Sequence, residues 1–460
     1  MNKRDESERR ERERTSGVGV VDGIEDALRE GEAEVPRGTL GRLVRSGRQA
    51  LRMRSLLSRA SAGESLDVRA LAELVEGFGE MKGVAMKAGQ MLGYLDAGMP
   101  EELRRALALL QRNAQPTPIE RVAVVLREAL GARADALLAR MAPAPVAVAS
   151  IGQVYRGEIS PHGAVAIKVQ HPGVRAAIEA DFRASSVGKL LGTLTGASTI
   201  AASIDEAREA FLGECDYRAE ARWQQRYIDS VGGDRSVIVP RVYEELCAET
   251  VLVTQWVDAE PLDRWIDRGP SQRERDAVGA ALYRFWVRTL YEHGLFHADP
   301  HPGNIGVLSD GRVVVYDYGC VRAFAEEHRA AFASLARAAR SADESAIFAA
   351  LEALGAKPAG DRETRAHALR LVRGFFGPML TPGARVIAPD AGADMGAVMR
   401  DKRAAMRLAL PGRMLFLFRL RFGLFAVLAR LGASLDWAAM ESEWARGAFS
   451  RGPDERPAAR

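Results

Sequence analysis

Apolar residues recur early in the chain at helical spacing. Leu71, Leu74, Phe78, Met81, Ala85, Ala88, Leu92 and Leu95 step by alternating threes and fours, which draws one stripe along a long helix. Pro116 and Pro118 punctuate this region, and a further helix is predicted over about 119–130. Near residue 143 the period changes. Residues 146–155 and 164–169 read as two short strands joined by a turn at Pro161-His162-Gly163. Helical spacing returns over about 174–230, and residues 237–242 and 250–256 read as strands again. Beyond Asp263 the pattern is helical. It is broken by a Pro/Gly-rich loop at 297–304 and by a hairpin over 305–317 that turns at Ser309-Asp310-Gly311. There are no internal repeats.

This order predicts an α+β protein. Residues 1–39 form a charge-dense, disordered tail, 40–142 a helical extension, 143–257 a small β-rich lobe, 258–450 a large helical lobe and 451–460 a polar tail. A chain of 460 residues can bury a large core, and 47% hydrophobic with 27% charged residues is a globular composition. With 64 basic against 61 acidic residues the net charge is +3, so charge balance gives no reason to expect a nucleic-acid partner. Cys215, Cys247 and Cys320 are scattered thiols without a Cys-x-x-Cys pair, which points to a reducing compartment and away from a disulfide frame or zinc site. The N-terminal run MNKRDESERRERERTS lacks the apolar core of a secretory signal. The expected location is cytoplasmic, with no transmembrane helix and with peripheral contact at the inner face of a membrane left open.

The segment from Met414 to Leu431 is the nearest approach to a membrane span, but Arg419, Arg421 and Arg430 interrupt it. Two readings stand. It is a buried helix whose arginines snorkel, or a helix that lays Leu415, Phe416, Leu417, Phe418, Phe422, Leu424 and Phe425 on an anionic surface.

The chemistry concentrates in His297-Ala298-Asp299-Pro300-His301-Pro302-Gly303-Asn304, followed by Asp317-Tyr318-Gly319. Phosphoryl transfer needs a carboxylate near the attacking hydroxyl and oxygen ligands for Mg²⁺; kinase folds draw these from such a loop and such a turn. The bland alternative is a tight turn with no chemistry. Lys168 sits in the apolar strand Val165-Ala166-Ile167-Lys168-Val169. A cation there needs an anionic partner, and the same string in kinases carries the lysine that holds nucleotide phosphates. A snorkelling edge-strand lysine is the alternative. Upstream, Ala147, Val148, Ala149, Ser150, Ile151 and Gly152 occupy the place of a glycine-rich phosphate loop. Glu214, Asp216 and Glu220 place three carboxylates within seven residues; Asp216 and Glu220 share a helix face. Lys87, in Lys87-Ala88-Gly89-Gln90, lies off the apolar stripe.

Together and in this order, these strings resemble the AarF/UbiB family of atypical protein-kinase-like proteins, over roughly residues 60–330 and more loosely to about 440. The resemblance implies a two-lobed kinase-like fold. It makes Lys168 the nucleotide lysine, Glu220 its helix partner, Asp299 the catalytic-loop carboxylate, and Asn304 and Asp317 the Mg²⁺ ligands. It puts Ala147, Ala149 and Ser150 against the phosphates, and Gln255 and Val257 in a hinge that reads adenine through backbone groups. Lys87 and Gln90 would fold over the site, with Lys87 paired to Glu214 and Asp216 beside them. The implied activity is that of a Mg²⁺- and ATP- (or ADP-) dependent kinase or ATPase supporting isoprenoid-quinone or other lipid metabolism, with a lipid or quinone-precursor substrate and little protein kinase activity in trans. Two departures stand out: Val148 interrupts the alanine stretch, and the two C-terminal transmembrane helices of the bacterial ubiquinone protein have no counterpart. Two other functions remain open. One is a nucleotide-dependent scaffold or chaperone without turnover; the other is a small-molecule kinase of the aminoglycoside or choline kinase type, which lacks the Lys-x-Gly-Gln and Glu-x-Asp elements.

Overall fold

The computed structural model describes residues 116–149, 151–183, 212–358, 360–388 and 412–450. The tails 1–39 and 451–460, the stripe from Leu71 to Leu95 with Lys87 and Gln90, and Ser150 lie outside the described residues. The strands used below are β1 (Ala147–Val148), β2 (Gly152–Ile159), β3 (Gly163–Gln170), β4 (Val237–Ile238), β5 (Val251–Gln255), β6 (Glu260–Pro261), β7 (Leu295–His297), β8 (Ile305–Val307), β9 (Val313–Val315) and β10 (Val321–Ala323). Among the helices are α1 (Ile119–Leu130), α2 (Tyr217–Val231), α3 (Gln272–Tyr283), α4 (Thr289–His293), α5 (Glu326–Ser341), α6 (Arg362–Phe376), α7 (Gly412–Leu431) and α8 (Trp437–Ser450). The chain divides into two compact units. One takes Met1–Val125, Ala142–Tyr155 and Val169–Cys215; the other takes Leu126–Met141, Arg156–Lys168 and Asp216–Arg460.

In the first unit the single strand expected over 146–155 is a hairpin. Ala147 lies opposite Val154 in an antiparallel pair, and the Ala149 N–H donates to the Gly152 carbonyl at 2.7 Å. The turn is hard to read from sequence, because Ala149 and Ile151 carry none of the usual turn chemistry and only Ser150 and Gly152 do. His171 fastens the turn: its Nε2 lies 3.1 Å from the Ala149 carbonyl, while its Nδ1 lies 2.8 Å from the Thr117 hydroxyl. A carbonyl can only accept, so Nε2 carries the proton and Nδ1 accepts.

A four-stranded sheet runs in the order β1-β2-β3-β5. On β3, Val165 and Ile167 are wholly buried, whereas Ala166 and Lys168 are half-buried. Successive strand side chains point to opposite faces, so β-branched packing fixes the strand and leaves Lys168 on its other face. The second unit has another four-stranded sheet, ordered β4-β9-β8-β6. The predicted 305–317 hairpin is there, with Ile305 opposite Val315, and β4 runs parallel to β9. One further pair was not legible: β7 and β10 are antiparallel, with Val321 opposite His297.

One large apolar core fills the second unit. Trp286, Trp437, Leu282, Phe296, Phe332, Leu417 and Leu424 are all essentially buried in it. This corrects the surface-helix reading of α7. Leu417, Phe418, Leu424 and Phe425 face the protein interior and are not available to a lipid surface. Arg421 is buried too, and its guanidinium forms two bonds to the Glu441 carboxylate of α8, at 2.7 and 2.9 Å. The snorkelling expected for Arg421 is therefore replaced by a buried ion pair. No described helix is long and apolar enough to cross a membrane.

Candidate functional site

Three predicted site residues meet around one ammonium. Lys168 Nζ donates to both oxygens of Glu220, at 2.7 and 2.9 Å, and to Asp317 Oδ2 at 3.0 Å. The Tyr217 ring lies 5.0 Å from the same nitrogen. Helix α2 positions the glutamate: Asp216 caps it by accepting from the Ala219 N–H at 3.1 Å, which starts the helix so that Glu220 falls in its first turn. Burial disfavours the charge on Lys168, but Asp317 and Glu220 outweigh burial and raise its pKa well above the ordinary lysine value. Burial also pushes the Glu220 carboxyl up, to about 7, against the opposing pull of Lys168. The site thus holds one cation between two carboxylates, one of which has little water around it.

Asp317 is fixed from both ends. Its Oδ1 accepts the Gly319 N–H at 2.9 Å, and its backbone carbonyl accepts from His297 Nε2. His297 Nδ1 accepts the Asp299 N–H at 3.2 Å. The imidazole is wholly buried, and burial holds its pKa below the ordinary 6.5 in spite of the Asp317 carbonyl and the nearby carboxylates. A neutral ring protonated at Nε2 satisfies both bonds, and it ties the 297–304 loop to the Asp317 turn. The β7–β10 pair places it there.

Within the loop, Asn304 Nδ2 donates to Asp299 Oδ2 at 3.2 Å. The other oxygen, Oδ1, accepts from Arg419 Nη2 of α7 at 2.8 Å. Asp299, Asn304, Asp317, Lys168 and Glu220 are therefore linked through hydrogen bonds, with His297 as the bridge. Among the described residues no three His, Cys, Asp or Glu side chains are arranged to cage a metal. Asn304 and Asp317 offer an amide oxygen and a carboxylate, both hard donors. That set suits Mg²⁺, which binds through one or two protein oxygens and completes its shell with water and phosphate.

The segment expected to act as a hinge is partly engaged by the protein itself. The Gln255 N–H donates to the Arg241 carbonyl at 2.8 Å, and the Trp256 N–H donates to the Ala164 carbonyl at 3.0 Å. The Val257 carbonyl accepts from the Tyr316 hydroxyl at 3.3 Å. Burial and Asp258 push the Tyr316 phenol up to about 12, so it stays a donor at neutral pH. Ala147, Ala149 and Glu214 belong to the other compact unit; Glu214 is buried there. Asp216 caps α2 and lies 3.6 Å from Arg222. Lys87, Gln90 and Ser150 lie outside the described residues. Sequence reasoning did not foresee the contacts of Arg419 with Asp299 and of Tyr316 with Val257, and it assigned His297 no role.

Residues 109–351 match the ABC1 atypical kinase-like domain, which is more than half of the 460-residue chain. The chain belongs to the ABC1 atypical kinase-like family. Relatives named AarF domain-containing protein kinase and atypical kinase COQ8B place it in the AarF/UbiB group that the motifs resemble. The chloroplastic Protein ACTIVITY OF BC1 COMPLEX KINASE 1 of Arabidopsis thaliana is 32% identical over 313 residues, which is 60% of this chain and 44% of that one. The mitochondrial atypical kinase COQ8B of Danio rerio is 28% identical over 298 residues, 63% of this chain and 47% of that one. This chain thus spans about half the length, or less, of these curated relatives. The solved Rv3197–erythromycin complex from Mycobacterium tuberculosis has a TM-score of 0.57 at 28% identity, covering 82% of this chain and 95% of that one. The α+β architecture is accordingly kinase-like, as an ABC1 domain requires.

Proposed function

We propose that this ABC1-type chain is a Mg²⁺-dependent phosphotransferase or ATPase that binds ATP or ADP, in support of isoprenoid-quinone or other lipid metabolism. One observation carries the reading: Lys168 lies between Glu220 and Asp317, at 2.7 and 3.0 Å. In kinase-like sites the strand lysine grips nucleotide phosphates while a helix glutamate orients it, and the second aspartate holds the metal. Asn304 and Asp317 would hold Mg²⁺, which when bound would neutralise phosphate charge. Lys168 presents a cation to the phosphates, and Asp299 offers the carboxylate that orients a hydroxyl or water. Ala147, Ala149 and Ser150 as phosphate-loop residues, Gln255 and Val257 as hinge, and Lys87 and Gln90 folding over the site with Glu214 and Asp216 rest on the motif resemblance. The same resemblance supports a small lipid-like or quinone-precursor substrate over a protein one. Peripheral membrane contact, if part of this function, needs a carrier other than the buried face of α7.

The test is a thermal melt with and without Mg²⁺, ATP and ADP, for the wild type and Asp317→Asn. A ligand at 100 times its dissociation constant adds about 2.7 kcal/mol of stability. A Mg²⁺-dependent shift in the wild type that vanishes in the variant is expected. An undiminished shift in Asp317→Asn overturns the site.

A further inference from the structure

Ordinary kinase loops carry an arginine directly before the catalytic aspartate. Here Ala298 stands in that place, and no lysine or arginine lies between His297 and Asn304. The cation beside Asp299 comes instead from α7, 120 residues later, where Arg419 Nη2 meets Asp299 Oδ1 at 2.8 Å. The pair is sheltered, with side-chain exposures of 12% for Arg419 and 21% for Asp299. Arg419 Nη1 also lies 3.6 Å from the Cys320 thiol, just past the Asp317 turn. A second contact supports the same face of the helix. Gly423, one turn beyond Arg419, is so close to the loop that a Cβ there would come within 2.7 Å of the Pro300 ring. Each oxygen of Asp299 therefore has a fixed donor: Arg419 on Oδ1 and Asn304 on Oδ2.

We propose that Arg419 is a positioning residue of the phosphoryl-transfer site, which holds the Asp299 carboxylate ready for the substrate hydroxyl and keeps it out of the metal's ligand set. The inference rests on the nucleotide-site reading above. A carboxylate bonded to Asn304, itself a candidate metal ligand, is drawn to a divalent cation unless another cation already balances it. Arg419 supplies that balance through a planar fork that also fixes direction. Neutralising Arg419 leaves Asp299 uncompensated and free to turn toward the metal.

The experiment is a titration of Mn²⁺ into nucleotide-loaded protein, followed by electron paramagnetic resonance, for the wild type, Arg419→Gln, Arg419→Lys and Asp299→Asn. Arg419→Gln is expected to bind Mn²⁺ about tenfold more tightly, since a removed neighbouring charge alters a carboxylate's cation preference by at least that much. Arg419→Lys keeps the wild-type affinity. Asp299→Asn also keeps it, because an arginine-held carboxylate takes no part in metal binding; this arm decides the matter even if Arg419→Gln fails to fold. In turnover, Arg419→Gln loses about 100-fold in kcat at unchanged nucleotide KM. Equal Mn²⁺ affinity in Arg419→Gln, or weaker affinity in Asp299→Asn, overturns the proposal. Failure of the nucleotide-site reading looks different: the wild type itself then shows no Mg²⁺-dependent nucleotide shift.

Discussion

Lys168 gives two of its hydrogen bonds to the two oxygens of Glu220, at 2.7 and 2.9 Å, in a site where the glutamate is only 3% exposed. Removing Glu220 takes away two of these bonds and leaves Lys168 to Asp317 alone, at 3.0 Å. Glu220→Ala should therefore cost about 1.5–3 kcal/mol of stability, the range for lost hydrogen bonds to a charged group, measured by urea denaturation. The double variant Lys168→Met/Glu220→Leu should recover most of that loss. If Glu220→Ala is nearly neutral, Asp317 and water satisfy Lys168 without the glutamate and the Lys168–Glu220 pair is not structural.

His297 is a second structural joint. Its ring satisfies the Asp299 N–H and the Asp317 carbonyl together. His297→Phe fills similar space but offers neither donor nor acceptor. Each buried group left unmatched costs about 1–3 kcal/mol, so a combined loss at the upper end of that range is expected in chemical denaturation. A loss below about 0.5 kcal/mol would mean that water takes over both bonds.

The buried Arg421–Glu441 pair gives a pH dependence of its own. Tyr283 and Tyr291 both donate to the Glu441 carboxylate, and all four groups are buried. Burial raises the Glu441 pKa, but Arg421 and the two tyrosines outweigh it and hold it below the ordinary 4.5. A depressed carboxyl contributes stability that is present above its unfolded pKa and lost as pH falls through the folded one. Stability should therefore decline below about pH 4.5 in the wild type, with a shallower decline in Arg421→Met/Glu441→Leu. Parallel acid limbs in the two proteins would remove Glu441 from the account.

Gly423 tests the contact between α7 and the loop. Alanine at this position improves helix propensity by about 1 kcal/mol. Its Cβ would meet a rigid proline ring at 2.7 Å, and overpacking of that kind costs about 1–3 kcal/mol. Gly423→Ala should lower Tm and weaken any turnover more than it weakens nucleotide binding. A raised Tm would show that α7 slides off the loop at little cost.

The candidate residues legible in sequence are those marked by their own local strings. Asp299 and Asn304 share one loop, Asp317 follows a β-branched strand, and Lys168 stands out as a cation among Val165, Ile167 and Val169. Arg419 was not legible for a physical reason. Helix α7 is apolar nearly all round, and such a helix reads equally as core or as membrane-facing. Only its partners decide, and Asp299 and Pro300 lie more than a hundred residues away. The β7–β10 pair that seats His297 was missed because each strand has only three residues, too few for an alternating pattern. The bond from the Tyr316 hydroxyl to the Val257 carbonyl was not legible either, since it joins residues 59 apart.

The 120-residue span between Asp299 and Arg419 also sets an order of events during synthesis. Ribosomes add about 5–20 residues per second, so the loop emerges several seconds before the helix that braces it. Until then Asp299 lacks its cation, and the apolar bed that later receives Leu417 and Leu424 lies open. The half-made chain thus exposes apolar surface that the finished one covers, and the Asp299–Arg419 contact can form only after the late-arriving helix has docked.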